Sequence, residues 1–251
     1  MDPSHVVFFF GSGVSIPSGM PSVNKITRSV VTGPLVYTEH GRYVLPSSLG
    51  DDEIPDESSS EYATKLRGFL STIFHYAQTV LIETGQFDQQ ITYEDLYHLC
   101  AQVVSDQTDG ADRPVAPMNL AVRPLSERLQ QEAKPFLLAD PDDLLADLAY
   151  TAGEAISLIT GVVRELLSIP VENIEGFKPL LRAINELDRV TIVTLNHDLL
   201  IEKLLHGNEI DFEDGFDGDP EEVRNYEPSR LFDESAEVTI IKPHGSINWY
   251  I

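Results

Sequence analysis

The chain opens on a short unbroken apolar run, Val6-Val7-Phe8-Phe9-Phe10, too brief for a helix and suited to a strand buried on both faces of a parallel sheet. It stops at Gly11-Ser12-Gly13-Val14-Ser15-Ile16-Pro17-Ser18-Gly19-Met20-Pro21. The pattern predicts a strand, a tight loop and then a helix from about Val23, with Ser22 as its cap. Tyr43-Val44-Leu45 adds a short strand, and the proline-containing, acidic stretch from Pro46 to Glu57 reads as an exposed loop.

From Glu61 the period changes. Leu66, Phe69, Leu70, Ile73, Phe74 and Ala77 fall along one helical face, and Leu96 to Val104 suggests another helix. Further helices are predicted over about 121–136, 141–150, 152–168 and 176–187. Strand character returns at Arg189-Val190-Thr191-Ile192-Val193-Thr194-Leu195 and again at Val238-Thr239-Ile240-Ile241. The expected organisation is an α/β domain in two parts, 1–60 and 188–251, separated by a mainly helical insertion or subdomain over 61–187. Each of the three principal strands ends in polar residues. In an open parallel α/β sheet those ends collect around a ligand crevice, which makes a Rossmann-like fold the expected class.

Composition narrows the possibilities. The 251 residues are 42% hydrophobic and 23% charged, in the range of a globular protein. A single cysteine, Cys100, excludes an internal disulfide and any multi-cysteine zinc site within the chain. With 17 basic against 41 acidic side chains, a formal charge of −24, direct nucleic-acid binding is not expected, because phosphate backbones are held by excess Lys and Arg. The single cysteine makes an intracellular, cytoplasmic home the expectation, and no apolar segment reaches membrane-spanning length, so no membrane partner is expected. The acidic stretch from Asp211 to Glu222 invites comparison with a calcium loop. Gly215 stands where an oxygen-bearing side chain is needed and Phe216 where the turn needs glycine, so no metal is expected.

The chemistry of the three strand ends suits a phosphate-bearing small molecule. Backbone donors of the 11–21 loop can surround phosphates, and the Asn196 amide can orient a carbonyl, hydroxyl or water. Asp198 can accept a donor from the ligand, and His244 can move a proton. Such a set fits cleavage at an anomeric carbon, and equally binding without catalysis. The loop lacks the GK[ST] ending of a nucleotide-triphosphatase.

Gly11-Ser12-Gly13-Val14-Ser15 followed by Gly19-Met20-Pro21 resembles the glycine-rich opening of the sirtuin superfamily. Thr194-Leu195-Asn196-His197-Asp198 resembles its TxNxD segment, and His244-Gly245 its histidine-glycine pair, in the same order. The longer strings, Thr194 through Glu202 and Lys242-Pro243-His244-Gly245-Ser246-Ile247-Asn248-Trp249, look like prokaryotic sirtuin-like domains that hydrolyse NAD in antiviral defence. The resemblance covers about thirty residues. It implies a sirtuin-type parallel sheet whose C-terminal part lies outside this chain, with NAD as substrate and no metal. Asn196, His244 and Asp198 are the implied catalytic residues. Gly11, Ser12, Gly13, Ser15, Gly19, Pro21, Thr194 and Gly245 are the implied cofactor-binding residues. It further implies a homo-oligomer and a sensor carried by an additional C-terminal domain or a partner protein. Ser22-Val23-Asn24 in place of Asp-Phe-Arg, and the missing cysteines, set the chain apart from the protein deacylases. The expected activity is NAD glycohydrolysis to nicotinamide and ADP-ribose. The alternative is a catalytically silent NAD or ADP-ribose-binding module that controls assembly.

Overall fold

The computed structural model describes residues 5–34, 36–37, 43–46, 59–86, 88–108, 117–139, 146–168, 173–217, 224–233 and 235–247. In chain order the elements are β1 (His5–Phe10), α1 (Val23–Thr32), β2 (Val36–Tyr37), β3 (Tyr43–Val44), α2 (Ser59–Glu83), α3 (Tyr93–Thr108), α4 (Pro117–Glu132), β4 (Leu138–Ala139) and β5 (Ala146–Asp147). There follow α5 (Leu148–Leu167), α6 (Lys178–Glu186), β6 (Arg189–Thr194), α7 (Leu200–Gly207), β7 (Phe216–Asp217), β8 (Asn225–Tyr226) and β9 (Val238–Ile241). The chain divides into two compact units, 1–22 with 166–251, and 23–165.

The first unit carries a mixed α/β fold of coarse Rossmann-like arrangement. Its sheet runs β1-β6-β9, all parallel, with Phe8, Ile192 and Ile240 in one register row. β6 is central and alternates: Val190, Ile192 and Thr194 are buried while the residues between them are half-buried. The β-branched side chains fit the pleat, and burying one the size of Ile192 contributes roughly 1.5–3 kcal/mol. Phe10 meets Phe177 edge to face, centroids 6.2 Å apart, just ahead of α6. On α7 the buried residues are Leu200, Ile201, Leu204 and Leu205, an i, i+1, i+4, i+5 stripe that faces the core.

β1 departs from the strand expected to be buried on both faces. Phe8 and Phe10 are half-buried, but Val7 is 58% and Phe9 66% exposed. The strand pairs only with β6, and among the described residues neither a second strand nor a covering layer meets its outer face. An unbroken apolar run records side-chain character and carries no information on which face is covered.

The acidic stretch after α7 is partly built into a hairpin, β7 against β8. Arg224 pairs with Asp214, and Arg230 holds both carboxylate oxygens of Glu213 at 2.9 Å. Gly215 has φ +86, and a Cβ there would lie 2.8 Å from the Tyr226 ring, so this position requires glycine on two counts.

The second unit is mainly helical. Leu66, Phe69, Leu70 and Ile73 on α2 are fully buried, as are Leu96, Cys100 and Val103 on α3 and Leu158 and Val162 on α5. Gly68 lets Phe136 lie against α2, where a Cβ would fall 2.2 Å from the ring. The Thr27 hydroxyl accepts the Tyr93 N–H at 3.0 Å, joining α1 to the start of α3. Helix α4 spans 117–132 rather than 121–136, tolerates Pro124 inside it, and gives way to a 3-10 turn at Lys134–Phe136. The helix expected over 141–150 begins only at Leu148; Ala146 and Asp147 pair antiparallel with Leu138 and Ala139, a strand contact that local periodicity does not encode. Residues 47–57 of the expected acidic loop lie outside the described residues. Cys100 is fully enclosed, and burial pushes its thiol up to about 12, so it packs rather than reacts.

Candidate functional site

The C-terminal ends of β1, β6 and β9 release three loops on the same edge of the sheet, because all three strands run parallel in close register. Leu195 N–H donates to the Phe10 carbonyl at 3.1 Å, so the first two loops leave their strands hydrogen-bonded to one another.

The glycine-rich loop forms two successive 3-10 turns, Ser12–Val14 and Ile16–Ser18. Val14 N–H donates to Gly11 O, and the N–H groups of both Ser18 and Met20 donate to Ser15 O, which sits at the hinge between the turns. Gly19 closes the second turn at φ 95. Ser15, Ser18 and Met20 are buried, whereas Gly11, Ser12 and Gly13 are exposed. A Cβ built on Gly11 or Gly13 would meet nothing within 4 Å, so the backbone there faces open space. Pro21 is half-buried at the end of the loop.

The second loop brings Asn196 onto the first. Asn196 Nδ2 donates to Ser15 Oγ at 2.8 Å, a buried contact across 181 residues of sequence. Asn196 N–H donates to Thr194 Oγ1 at 3.1 Å, which fixes the side chain's root. Asn196 Oδ1 is buried and among the described residues has no hydrogen-bond partner. A buried amide oxygen left unpaired costs about 1–3 kcal/mol, which a ligand donor would recover.

Asp198 is buried, and its Oδ1 accepts the N–H of Leu200 at 3.0 Å, so one oxygen is engaged at the start of α7. His244 lies exposed on the turn after β9, with its ring 6.4 Å from that of His197. Gly245 takes φ 88 and donates its N–H to Lys242 O at 3.0 Å, closing that turn. Ser15, Thr194 and Asn196 are thus in direct hydrogen-bond contact, Asp198 lies two residues further along, and His244 stands on the neighbouring loop.

Beneath these residues is a buried network that motif reading assigned no role. Lys242 Nζ donates to Asp198 O and to Ser246 Oγ, the latter at 3.0 Å, and pairs with Glu202 Oε1 at 2.6 Å. Ser246 Oγ donates to His197 O at 3.3 Å, and Ile247 N–H donates to the same carbonyl at 3.0 Å. Enclosure holds the Glu202 carboxyl above the usual range, while Lys242 beside it pulls in the opposite direction. A clue was present in the sequence: Glu202 stands among the apolar Leu200, Ile201, Leu204 and Leu205, where a charge requires a partner.

At the opposite end of the sheet is a cavity of about 870 Å³ whose lining includes Asp188, Glu209, Asp211, Glu213, Asp233 and Glu237. Its carboxylates make that cavity unfavourable for an anion. Among the described residues no group of His, Cys, Asp and Glu is arranged to hold a metal ion. Among the same residues no helix is long and apolar enough to cross a membrane.

Fold and site define an α/β protein with a polar cluster at the C-terminal ends of a small parallel sheet. No protein-family model matches the chain, and no characterised protein matches it significantly.

Proposed function

We propose that this chain is an NAD glycohydrolase of sirtuin-like type that cleaves the nicotinamide–ribose bond. The observation that carries the reading is the orphaned, buried Asn196 Oδ1, anchored through its own Nδ2 to Ser15 at the mouth of the parallel sheet. A fixed acceptor there orients the attacking water by accepting a hydrogen bond from one of its O–H groups. As the C1′–N bond breaks, its electron pair leaves with nicotinamide and the ribose carbon gains oxocarbenium character. Water then bonds to that carbon, and its surplus proton passes to a base, the role assigned to His244. Nicotinamide, ADP-ribose and a proton are the products. Capture by the adenine instead of water would give the cyclic product. The open backbone at Gly11 and Gly13 suits the close approach of the pyrophosphate; Ser12, Ser15, Gly19, Pro21, Thr194 and Gly245 are the other residues this reading assigns to NAD.

In this reading the chain is the NAD-depleting effector of a cytoplasmic antiviral system, acting as a homo-oligomer and controlled by a sensor on another domain or partner protein. The exposed Val7 and Phe9 supply apolar surface for contact between copies.

Two observations favour a second reading. Asp198 Oδ1 already serves the α7 amide and His244 is exposed, which suits a silent NAD or ADP-ribose-binding module. Nicotinamide release from NAD, with Asn196→Ala as control, separates the two. Release abolished by the substitution supports the enzyme; tight NAD binding without release by the wild type supports the module.

A further inference from the structure

The network around Lys242 joins the two loops that carry the proposed reacting groups. Lys242 is 7% exposed, and its ammonium has three N–H donors. Three acceptors surround it: Asp198 O on the Asn196 loop, Ser246 Oγ on the His244 loop and Glu202 Oε1 on α7. Its backbone carbonyl also accepts the Gly245 N–H that closes the turn carrying His244. A second tie runs in parallel, since His197 O accepts from both Ser246 Oγ and Ile247 N–H.

We propose that Lys242 is a positioning residue that sets the Asn196 loop against the His244 turn, and so acts on the chemical step through residues it does not itself replace. The inference rests on the NAD glycohydrolase reading. A buried ion pair is a poor source of net stability, because desolvating two charges offsets their attraction, and an apolar residue of similar volume often folds as well. What an apolar residue lacks is the set of three directed donors. Arginine lacks them too, since its planar fork is longer and cannot meet acceptors from three sides around one nitrogen.

The test compares wild type, Lys242→Met and Lys242→Arg in the full chain, by nicotinamide release over a range of NAD concentrations and by hydrogen–deuterium exchange. For Lys242→Met the expected result is a fall in kcat on the order of 10²-fold, the scale of a displacement of about 1 Å at a reacting centre. KM for NAD should stay within about threefold, since loss of positioning strikes the transition state more than ground-state binding. Exchange should rise at Leu200, whose N–H binds Asp198, and at Ile247, whose N–H binds His197 O, with the β6 amides unchanged. Lys242→Arg should not restore kcat. A kcat within about twofold of wild type in Lys242→Met overturns the proposal. If the wild type releases no nicotinamide, the glycohydrolase reading falls by itself, and exchange decides the positioning role: deprotection confined to the two loops supports it, and unchanged exchange overturns it. Should Lys242→Met fail to fold, Ser246→Ala removes one of the three acceptors and one tie to His197, and the same criteria apply to it.

Discussion

Asn196 donates an amide N–H to the hydroxyl of Ser15 at 2.8 Å inside the protein, while the oxygen at the other end of that amide has no hydrogen-bond partner among the described residues. The donor end of Asn196 is therefore engaged within the protein, and the acceptor end is the one proposed to meet the ligand. Removing the hydroxyl should separate these roles. Ser15→Ala leaves the Asn196 amide unsatisfied at both ends, and should lower stability by about 1–3 kcal/mol and nicotinamide release on the order of tenfold. A cycle of Ser15→Ala, Asn196→Ala and the double variant should be strongly non-additive, with the double variant no worse than Asn196→Ala. Additive losses in release would show that Ser15 does not act through Asn196.

Two glycines of the first loop should answer differently to alanine. Gly19 sits at φ 95, so Gly19→Ala should cost about 1–2 kcal/mol, read by denaturant unfolding. Gly11 has φ −105, and its Cβ would meet nothing within 4 Å, so Gly11→Ala should leave stability within about 0.5 kcal/mol. If NAD approaches this backbone, Gly11→Ala should nonetheless weaken NAD binding, measured by calorimetry. Unchanged binding would remove Gly11 from the ligand's path.

Glu202 carries a pH signature. Enclosure holds its folded-state pKa above the ordinary value of 4.5, so between those two pKa values the folded state binds more protons than the unfolded state. Its contribution therefore favours folding at low pH and declines as pH rises from the ordinary value through the raised one. Glu202→Gln lacks this titration. The stability of wild type relative to Glu202→Gln should fall across that window, followed by urea unfolding at a series of pH values. A difference independent of pH would mean that Glu202 titrates normally.

On β1, Phe9 is 66% exposed beside Val7, on a strand that among the described residues pairs with β6 alone. If this surface joins copies of the chain, Phe9→Glu should shift the sedimentation profile toward monomer without loss of far-ultraviolet circular dichroism. An unchanged profile would place the contact between copies elsewhere.

Much of the sheet was legible because its signals are local. β-Branched and aromatic runs at 5–10, 189–194 and 238–241 specify extended backbone, and the polar residues after each run follow from where the strands stop. Helix α1 starting at Val23, and the apolar stripe of α2, follow equally from spacing of a few residues. The contact of Ser15 with Asn196, 181 residues apart, depends on β1 and β6 pairing parallel in one register, and the tie from Lys242 to Asp198 spans 44. The β4–β5 pair and the exposed face of β1 likewise depend on what lies alongside, which the order of residues along one segment does not contain. Residue types and their periods determined the elements and the chemistry available at their ends. Tertiary packing alone decided which polar atoms were satisfied, because burial and partnership arise only when distant segments exclude water together.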